Sequence, residues 1–320
     1  MKKLLHAAAL GASLLLLAGP VAAQYPAKPV RIIVPFLAGG PVDTTARVIQ
    51  QALSRALGQP VIVENKPGAD GAIAAQAVAS SAPDGYTLFF GGSSTMVSVP
   101  VLRKNPPFDP VADFTPISLI GRYAFCMFVH PDVPAQSVAE FVAYARANPD
   151  KLNYATSNLT EFMFAAQLMK SAGISMVRVP YKGAAQAIPD LIAGRVQLDF
   201  VPISAGLAHF RDGRLRILAT VLPRRIPVAP DVPTMAEAGV PGVTVSPWQG
   251  IFGPAKLPKE IVERLAHELN LILQSAEVRA RFDTQGFQPE ASAPEALAAM
   301  LKSDVQTWGQ IVREAGIPQD

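Results

Sequence analysis

The chain has 320 residues, of which 50% are hydrophobic and 17% charged, with a formal net charge of +3 at pH 7. This length is sufficient for two ordinary domains with a substantial core. Lys2 and Lys3 lie in a segment that we predict to be removed, and without them the net charge is about +1, so we expect no nucleic-acid partner.

The first 23 residues have the three parts of a secretory signal peptide. Lys2 and Lys3 are followed by an apolar run over residues 4–18 and by the small residues Val21-Ala22-Ala23. The apolar run is shorter than the roughly 20 residues that a membrane span requires. Residue 24 is a glutamine, so the signal is not the kind that ends in a lipid-modified cysteine. We therefore predict cleavage near Ala23 and a soluble, periplasmic protein.

The sequence contains little that points to catalysis. Its single Cys126 lies in an apolar run and fits a small buried hydrophobe better than a nucleophile. His130, His209 and His267 lack metal-ligand spacing, and there is no Gly-x-Ser-x-Gly elbow. We expect no enzyme, no metal and no cofactor, with a periplasmic hydrolase as the alternative of another class.

Short β-branched runs alternate with helical patterns along the mature chain. The first run that predicts a strand begins at residue 30. The others cover residues 61–64, 87–90, 124–129, 153–155, 176–179, 198–201 and 215–221. Patterns that predict helices cover residues 44–57, 71–80, 137–147, 161–172, 184–193, 259–274 and 294–315. Two helices begin with capping-box spacing, Ser137 with Glu140 and Asn158 with Glu161. This alternation is typical of α/β proteins with parallel sheets.

Two domains follow if the chain passes twice between them. We place the first passage near residues 114–122 and the second in the extended, proline-rich segment 223–233. The predicted domains are residues 24–121 together with 230–320, and residues 122–229. Ligands of open α/β sheets bind outside the carboxyl ends of the strands, so the cleft between the domains is the expected site.

The loop after the first strand points most directly to a ligand. Phe36, Leu37 and Ala38 lead into Gly39 and Gly40, and a helical pattern follows. Free backbone N–H groups and the positive end of a helix dipole then lie at the edge of a sheet, where a small anion can bind without a charged side chain. We expect both glycines to allow unusual φ values, so a β-branched residue at position 40 should damage the loop. The prediction is a binder of small carboxylates.

Six motifs in order make the chain resemble the Bug-type substrate-binding receptors of tripartite tricarboxylate transporters. They are Tyr25-Pro-Ala-Lys-Pro-Val-Arg-Ile-Ile-Val-Pro-Phe with Gly39-Gly40 and Asp43, Val63-Glu-Asn-Lys-Pro-Gly-Ala, Ala82-Pro-Asp-Gly-Tyr-Thr-Leu, Val179-Pro-Tyr-Lys-Gly183, Asp231-Val-Pro-Thr-Met-Ala-Glu-Ala-Gly239 and Trp248. The resemblance covers nearly the whole mature chain. It implies a two-lobed, flytrap-like α/β fold of the periplasmic-binding-protein kind, with two mostly parallel sheets flanked by helices.

The resemblance also implies how the ligand is held. In such receptors a ligand carboxylate is bound in the cleft largely by backbone N–H groups and bridging water, from the first strand-to-helix loop and its counterpart in the second domain. The first loop here runs from Phe36 to Asp43. Asp43 either fixes the loop as a helix cap or contacts the ligand or its water. The counterpart loop supplies Ser157, Asn158 and Thr160 at the start of a second helix.

Other segments complete the predicted site. Lys182 either adds a charge to the anion site or is a solvated or ion-paired side chain. The remaining predicted ligand-binding residues are Ser93, Ser94, Thr95, Tyr181, Gly183, Val201 and Trp248.

Apolar residues stand where the family often has polar ones. Met96, Phe162, Met163 and Val201, with Trp248 nearby, favour a mono- or dicarboxylate with an apolar or aromatic body. The reason is that each unpaired polar ligand group would cost ~1–3 kcal/mol. The alternative is that these residues are core behind the pocket.

The expected partners follow from the same resemblance. We expect a monomer that binds a small organic carboxylate, closes its two lobes over it and contacts membrane transporter subunits transiently. Presentation of the ligand to a membrane sensor is the alternative partner.

Overall fold

The computed structural model describes residues 25–181, 184–241, 243, 247–314, 317 and 319, so the predicted signal peptide lies outside it. The strands are β1 (Val30–Val34), β2 (Val61–Asn65), β3 (Thr87–Gly92), β4 (Phe114–Tyr123), β5 (Phe125–Val129), β6 (Asn153–Thr156), β7 (Val177–Pro180), β8 (Leu198–Pro202), β9 (Arg216–Thr220), β10 (Trp248–Pro254) and β11 (Phe287–Pro289). The helices are α1 (Pro41–Leu57), α2 (Ala72–Ala79), α3 (Val99–Leu102), α4 (Val138–Ala147), α5 (Leu159–Ala172), α6 (Ala184–Ile192), α7 (Ile203–Arg211), α8 (Lys259–Gln274), α9 (Ala276–Asp283) and α10 (Pro294–Glu314). No helix within the described ranges combines the length and hydropathy of a membrane span.

The described strands form two sheets. The first is six-stranded in the order β11-β4-β10-β3-β1-β2, and the second is five-stranded in the order β7-β6-β8-β5-β9. Strands linked by a crossover helix pair in parallel, as β1 does with β2 and β6 does with β7. Strands at which the chain enters or leaves a sheet, such as β5 and β10, pair antiparallel. The α/β prediction is confirmed, but each sheet is mixed rather than mostly parallel.

Local sequence signals account for the helix boundaries. The helix α1 begins at Pro41, three residues before the prediction, because proline fits the first helical position without needing an N–H acceptor. The capping-box spacing is confirmed at both sites. Ser137 Oγ accepts the N–H of Glu140 at 3.2 Å, and Asn158 Oδ1 accepts that of Glu161 at 3.0 Å. The amphipathic α8 has the predicted bounds.

The segment predicted as the first passage between domains is instead the ten-residue strand β4. Pro116 and Gly121 interrupt its strand pattern, and both lie where the pairing with β10 shifts register. The chain passes from the first sheet to the second at Ala124, the single residue between β4 and β5. The Ala124 N–H donates to the Gly286 carbonyl at 3.1 Å, and the Ala124 carbonyl accepts the Ile203 N–H at 2.7 Å. The return lies between β9 and β10; the domain bounds themselves stay a prediction.

Two hydrophobic clusters hold the sheets and helices together. One extends from the first sheet to one face of the second, and the other lies on the opposite face of the second sheet. Phe200 and Val201 are consecutive on β8 and pack into different clusters, as side chains that alternate along a strand must. Both faces of the second sheet are therefore buried.

Trp248 links the last helix to the first sheet. Its side chain is fully buried at the start of β10, and its Nε1–H donates to Asp304 Oδ2 on α10 at 2.7 Å. Burial raises the pKa of Asp304, while the Trp248 hydrogen bond opposes that rise. The indole is a structural anchor as well as a core side chain.

Replacing Trp248 should therefore cost more than the loss of ring volume. We expect Trp248→Phe to lower the free energy of unfolding by ~1–3 kcal/mol more than Trp308→Phe, because it leaves the Asp304 carboxylate without its donor. Trp308 is buried on α10, the helix that carries Asp304, and has no such carboxylate partner among the described residues. Urea denaturation of both variants measures the difference, and equal losses would contradict the anchoring role.

Candidate functional site

The first loop presents open backbone donors at the start of α1. Leu37, Ala38 and Gly39 are exposed, and Leu37 retains 72% of its surface. Gly40 is the N-cap residue and Pro41 has no N–H, so the open donors of the first helical turn are the next two N–H groups, which have no intrahelical acceptor. With the helix dipole behind them, these groups can hold a small anion.

Asp43 fixes this loop from behind. It lies at the third helical position, 1% exposed, and its carboxylate accepts the Gly39 N–H at 2.9 Å, Arg47 Nε at 2.8 Å and Asn65 Nδ2 at 3.0 Å. Asn65 Nδ2 also donates to the Phe36 carbonyl at 2.9 Å. Burial on its own would raise the pKa of Asp43, but the hydrogen bonds from Arg47, Gly39 and Asn65 bring it below its usual value. The ionised carboxylate is thus fully engaged within the protein.

The two loop glycines differ in conformation. Gly39 has φ +82°, in the left-handed region, whereas Gly40 has φ −76° and ψ 169°, which any residue adopts. A Cβ on Gly40 would lie 3.5 Å from the Leu37 carbonyl oxygen, an ordinary contact. The expectation that Gly40 requires an unusual φ was wrong; that requirement belongs to Gly39.

The second loop joins β6 to α5 and is organised by Glu161. This carboxylate is 2% exposed and accepts the Ser157 N–H and, at 2.8 Å, Asn158 Nδ2. Ser157 Oγ and Thr160 Oγ1 are buried and have no hydrogen-bond partner among the described residues. The loop therefore has two unpaired hydroxyls, while its Ser157 N–H and its Asn158 side-chain amide are bonded to Glu161.

Asp199 lies behind this loop on β8. It is fully buried, and neither carboxylate oxygen has a partner within the described part of the chain. Burial and repulsion by Glu161 raise its pKa well above the ordinary value. Burial likewise raises the pKa of Glu161 to about 7, against hydrogen bonds from Ser157 and Asn158 that lower it. Because each acid opposes ionisation of the other, the folded protein favours a protonated state of this pair.

The loop after β3 leaves the same edge of the first sheet as the first loop, because β1 and β3 are parallel neighbours. Ser93 is buried, and its Oγ accepts the Trp248 N–H at 3.4 Å. Ser94 is partly exposed, and Thr95 Oγ1 donates to the Asp70 carbonyl at 3.0 Å. The π-helical turn Ser94–Ser98 contacts α5, the helix that begins at the second loop.

The remaining predicted site residues offer no free polar group to a ligand among those that the structure describes. Tyr181 is partly exposed, and its hydroxyl donates to Asp190 Oδ2 at 2.8 Å. Burial, then this hydrogen bond, raises the pKa of Tyr181 to about 12. Val201 and Trp248 have no exposed surface. Lys182 and Gly183 lie outside the described residues.

Comparison with known proteins identifies the family. Residues 45–317 match the family model described as "Tripartite tricarboxylate transporter family receptor". The chain belongs to this family. It is 37% identical to Protein BugT of Bordetella pertussis over 94% of this chain and 93% of that protein. The resemblance seen in the sequence is confirmed.

Solved structures of receptors agree with the fold. The structure of R. palustris Rpa4515 with adipate has a TM-score of 0.84 and 32% identity, covering 92% of this chain and 99% of that one. The periplasmic binding protein BugD has a TM-score of 0.80 and 32% identity, covering 92% and 100%. The predicted two-lobed, periplasmic-binding-protein-like architecture is confirmed.

Sequence reasoning missed four residues that shape the receptor's loops. Asn65 belongs to one of the six motifs but was given no role, and Arg47 was given none either, yet both bind Asp43. Glu161 was recognised only through its capping spacing. Asp199 carried a signal that could have been used, because an acid within the apolar run Leu198-Asp-Phe-Val201 is unusual in a buried strand.

The glycine geometry gives a prediction about stability. We expect Gly39→Ala to lower the free energy of unfolding by ~1–2 kcal/mol, because the alanine must adopt a left-handed conformation. Its Cβ would meet nothing within 4 Å, so the cost is conformational. Gly40→Ala is the matched control and should change stability by less than ~0.5 kcal/mol. Urea unfolding of the two variants checks this; a larger loss for Gly40→Ala would refute the assignment.

The acidic pair gives a prediction about pH. Both pKa values are raised in the folded protein, so the folded state holds protons that the unfolded chain releases. The resulting stability is present below the unfolded pKa values near 4 and is lost as pH rises through about 7 for Glu161. We expect the melting temperature to fall between pH 5 and pH 8, and Asp199→Asn to reduce that fall. Asp190→Asn, which alters an acid whose pKa is lowered, should not reduce it. Indistinguishable pH profiles for wild type and Asp199→Asn would contradict the coupling.

Proposed function

We propose that this chain captures a small organic carboxylate between its two lobes and delivers it to the membrane subunits of a tripartite tricarboxylate-type transporter. The observation that carries the proposal is the first loop, where two N–H groups at the start of α1 lack an intrahelical acceptor and the Asp43 network fixes the loop. Family membership supports the role of receptor. The similar protein Rpa4515, whose structure was solved with adipate, supports a carboxylate as the ligand class.

The apolar part of the ligand needs a surface, and four of the five residues first considered do not offer one. Met96, Met163, Val201 and Trp248 have no exposed surface and pack in the core clusters, which favours the alternative that they stand behind the pocket. Exposed apolar surface is present elsewhere at the loops: Leu37 and Phe36 in the first, and Phe162 in the first turn of α5. We place the apolar or aromatic body of the ligand against these side chains.

The setting and partners complete the proposal. Cleavage near Ala23 releases a monomeric receptor into the periplasm, where it contacts transporter subunits transiently and needs no cofactor. The hydrolase alternative loses its only thiol nucleophile, because burial raises the pKa of Cys126 to about 12. Presentation to a membrane sensor relies on the same binding chemistry, and a pull-down from membranes separates the two partners.

Ligand-dependent melting tests the binding proposal. We expect benzoate to raise the melting temperature more than succinate, and succinate more than citrate, because Asp43 at the first loop is paired with Arg47 whereas the Glu161 charge at the second loop disfavours further carboxylates. A ligand at 100 times its Kd adds about 2.7 kcal/mol of stability, which is readily measured. Gly39→Ala should weaken every response, since it disturbs the first loop, while Gly40→Ala serves as control. Greater stabilisation by citrate would refute the apolar body, and no response to any carboxylate would refute carboxylate binding.

A further inference from the structure

The second loop already holds an anion. Glu161 occupies the third position of α5, and its carboxylate accepts both the Ser157 N–H and Asn158 Nδ2. Asn158 Oδ1 in turn accepts the Glu161 N–H at 3.0 Å. Two of the donors with which this loop could bind a ligand carboxylate are therefore bonded to a carboxylate of the protein itself.

A second negative group lies behind the first. Asp199 is fully buried, its oxygens have no hydrogen-bond partner within the described residues, and it experiences repulsion from Glu161. Two polar groups among the described residues nearby are engaged elsewhere. Tyr181 donates to Asp190, and Arg195 pairs with the same Asp190 at 2.6 Å. An anion brought to this end of the cleft would face the ionised Glu161, for which the described residues show no ion-pair partner.

Two hydroxyl groups remain for a ligand. Ser157 Oγ and Thr160 Oγ1 are buried without partners in the described part of the chain, and Thr160 is only 2% exposed. A hydroxyl can both donate and accept, so it pairs with a neutral polar group without help from a cation. Because an unpaired buried hydroxyl is costly, a ligand group that reaches these two atoms is favoured.

We infer that the second loop, with Asp199 behind it, selects a carboxylic acid whose far end is a neutral hydrogen-bonding group such as a hydroxyl, and excludes a second ionised carboxylate. The inference rests on the proposed function, because it requires the first loop to hold the ligand's carboxylate. Ser157 and Thr160 contact the far end, whereas Glu161 and Asp199 set its permitted charge. The excluded class is the dicarboxylates, to which adipate belongs.

Arg178 is a cation near the second loop that could attract a second ligand carboxylate. Arg178 on β7 donates from Nε to Thr156 Oγ1 at 2.9 Å, and its guanidinium lies 4.5 Å from the centre of the Phe162 ring. A second ligand carboxylate could bind here only by displacing these contacts. Dicarboxylate binding that depends on Arg178 is the result that would oppose the inference.

Two pairs of acids test the selection, each differing only at the far end. They are 6-hydroxyhexanoate against adipate, and 4-(hydroxymethyl)benzoate against terephthalate. Isothermal titration calorimetry of the wild-type protein at pH 8 should show the hydroxy acid of a pair binding roughly tenfold or more tightly, the scale of one like-charge contact near a protein surface.

The pH dependence identifies the charge responsible. Between pH 8 and pH 6 Glu161 takes up a proton, so affinity for the diacids should rise while affinity for the hydroxy acids changes little. Over this interval Tyr181 stays neutral and the Asp190–Arg195 pair persists. Glu161→Gln, which keeps a side-chain oxygen as acceptor but removes the charge, should improve diacid binding roughly tenfold at pH 8 and alter hydroxy-acid binding less than about threefold. Asp190→Asn, the matched control, should keep the wild-type discrimination.

The outcomes separate the two proposals. A diacid that binds wild type as tightly as its hydroxy acid at pH 8 overturns the selection and leaves carboxylate capture intact; Arg178→Ala then shows whether Arg178 holds the second carboxylate. If none of the four acids and no benzoate binds, the proposed function fails and the selection fails with it. Tighter hydroxy-acid binding whose margin Glu161→Gln does not change would also overturn the role given to the Glu161 charge.

Discussion

The first loop depends on one buried ionised carboxylate. Asp43 receives a backbone N–H, a guanidinium and a side-chain amide, and the same amide also holds the Phe36 carbonyl. Both ends of the loop are therefore fixed by residues that a ligand does not need to contact. Because the loop is ordered before the ligand arrives, its open N–H groups can bind an anion without the entropic cost of arranging them.

The second loop uses the same device with a different electrostatic result. Glu161, like Asp43, occupies the third helical position and accepts the N–H of the residue before the N-cap, Ser157 in one case and Gly39 in the other. Asp43 has Arg47 as a counter-ion, whereas the neighbouring charge recorded for Glu161 is that of Asp199. A neutralised carboxylate leaves the helix dipole available to a ligand anion, and an uncompensated one opposes it. The two lobes are therefore alike in backbone and unlike in charge.

The sequence was sufficient for features that depend on local chemistry. The capping spacings, the proline and glycines around α1 and the amphipathic face of α8 act within a few residues, and the structure has them. Features set by distant partners could not be predicted in this way. The strand β4 carries Pro116 and Gly121 because β10 tolerates register shifts opposite them. Apolar residues such as Met163 and Val201 are equally compatible with a pocket wall and a core, and only packing distinguishes the two.

The junction between the sheets connects the first loop to the movement of the lobes. The buried Tyr123 hydroxyl donates to the Pro41 carbonyl at 3.0 Å and lies 2.9 Å from Thr45 Oγ1, both in the first turns of α1. The next residue, Ala124, is where the chain leaves the first sheet and bonds to Gly286 and Ile203. The start of α1 is therefore attached to the first-sheet side of the junction, next to the residue at which the chain crosses to the second sheet. In the proposed binding mode, lobe closure brings the second loop towards the ligand's far end, and the charge there decides whether Glu161 opposes the approach.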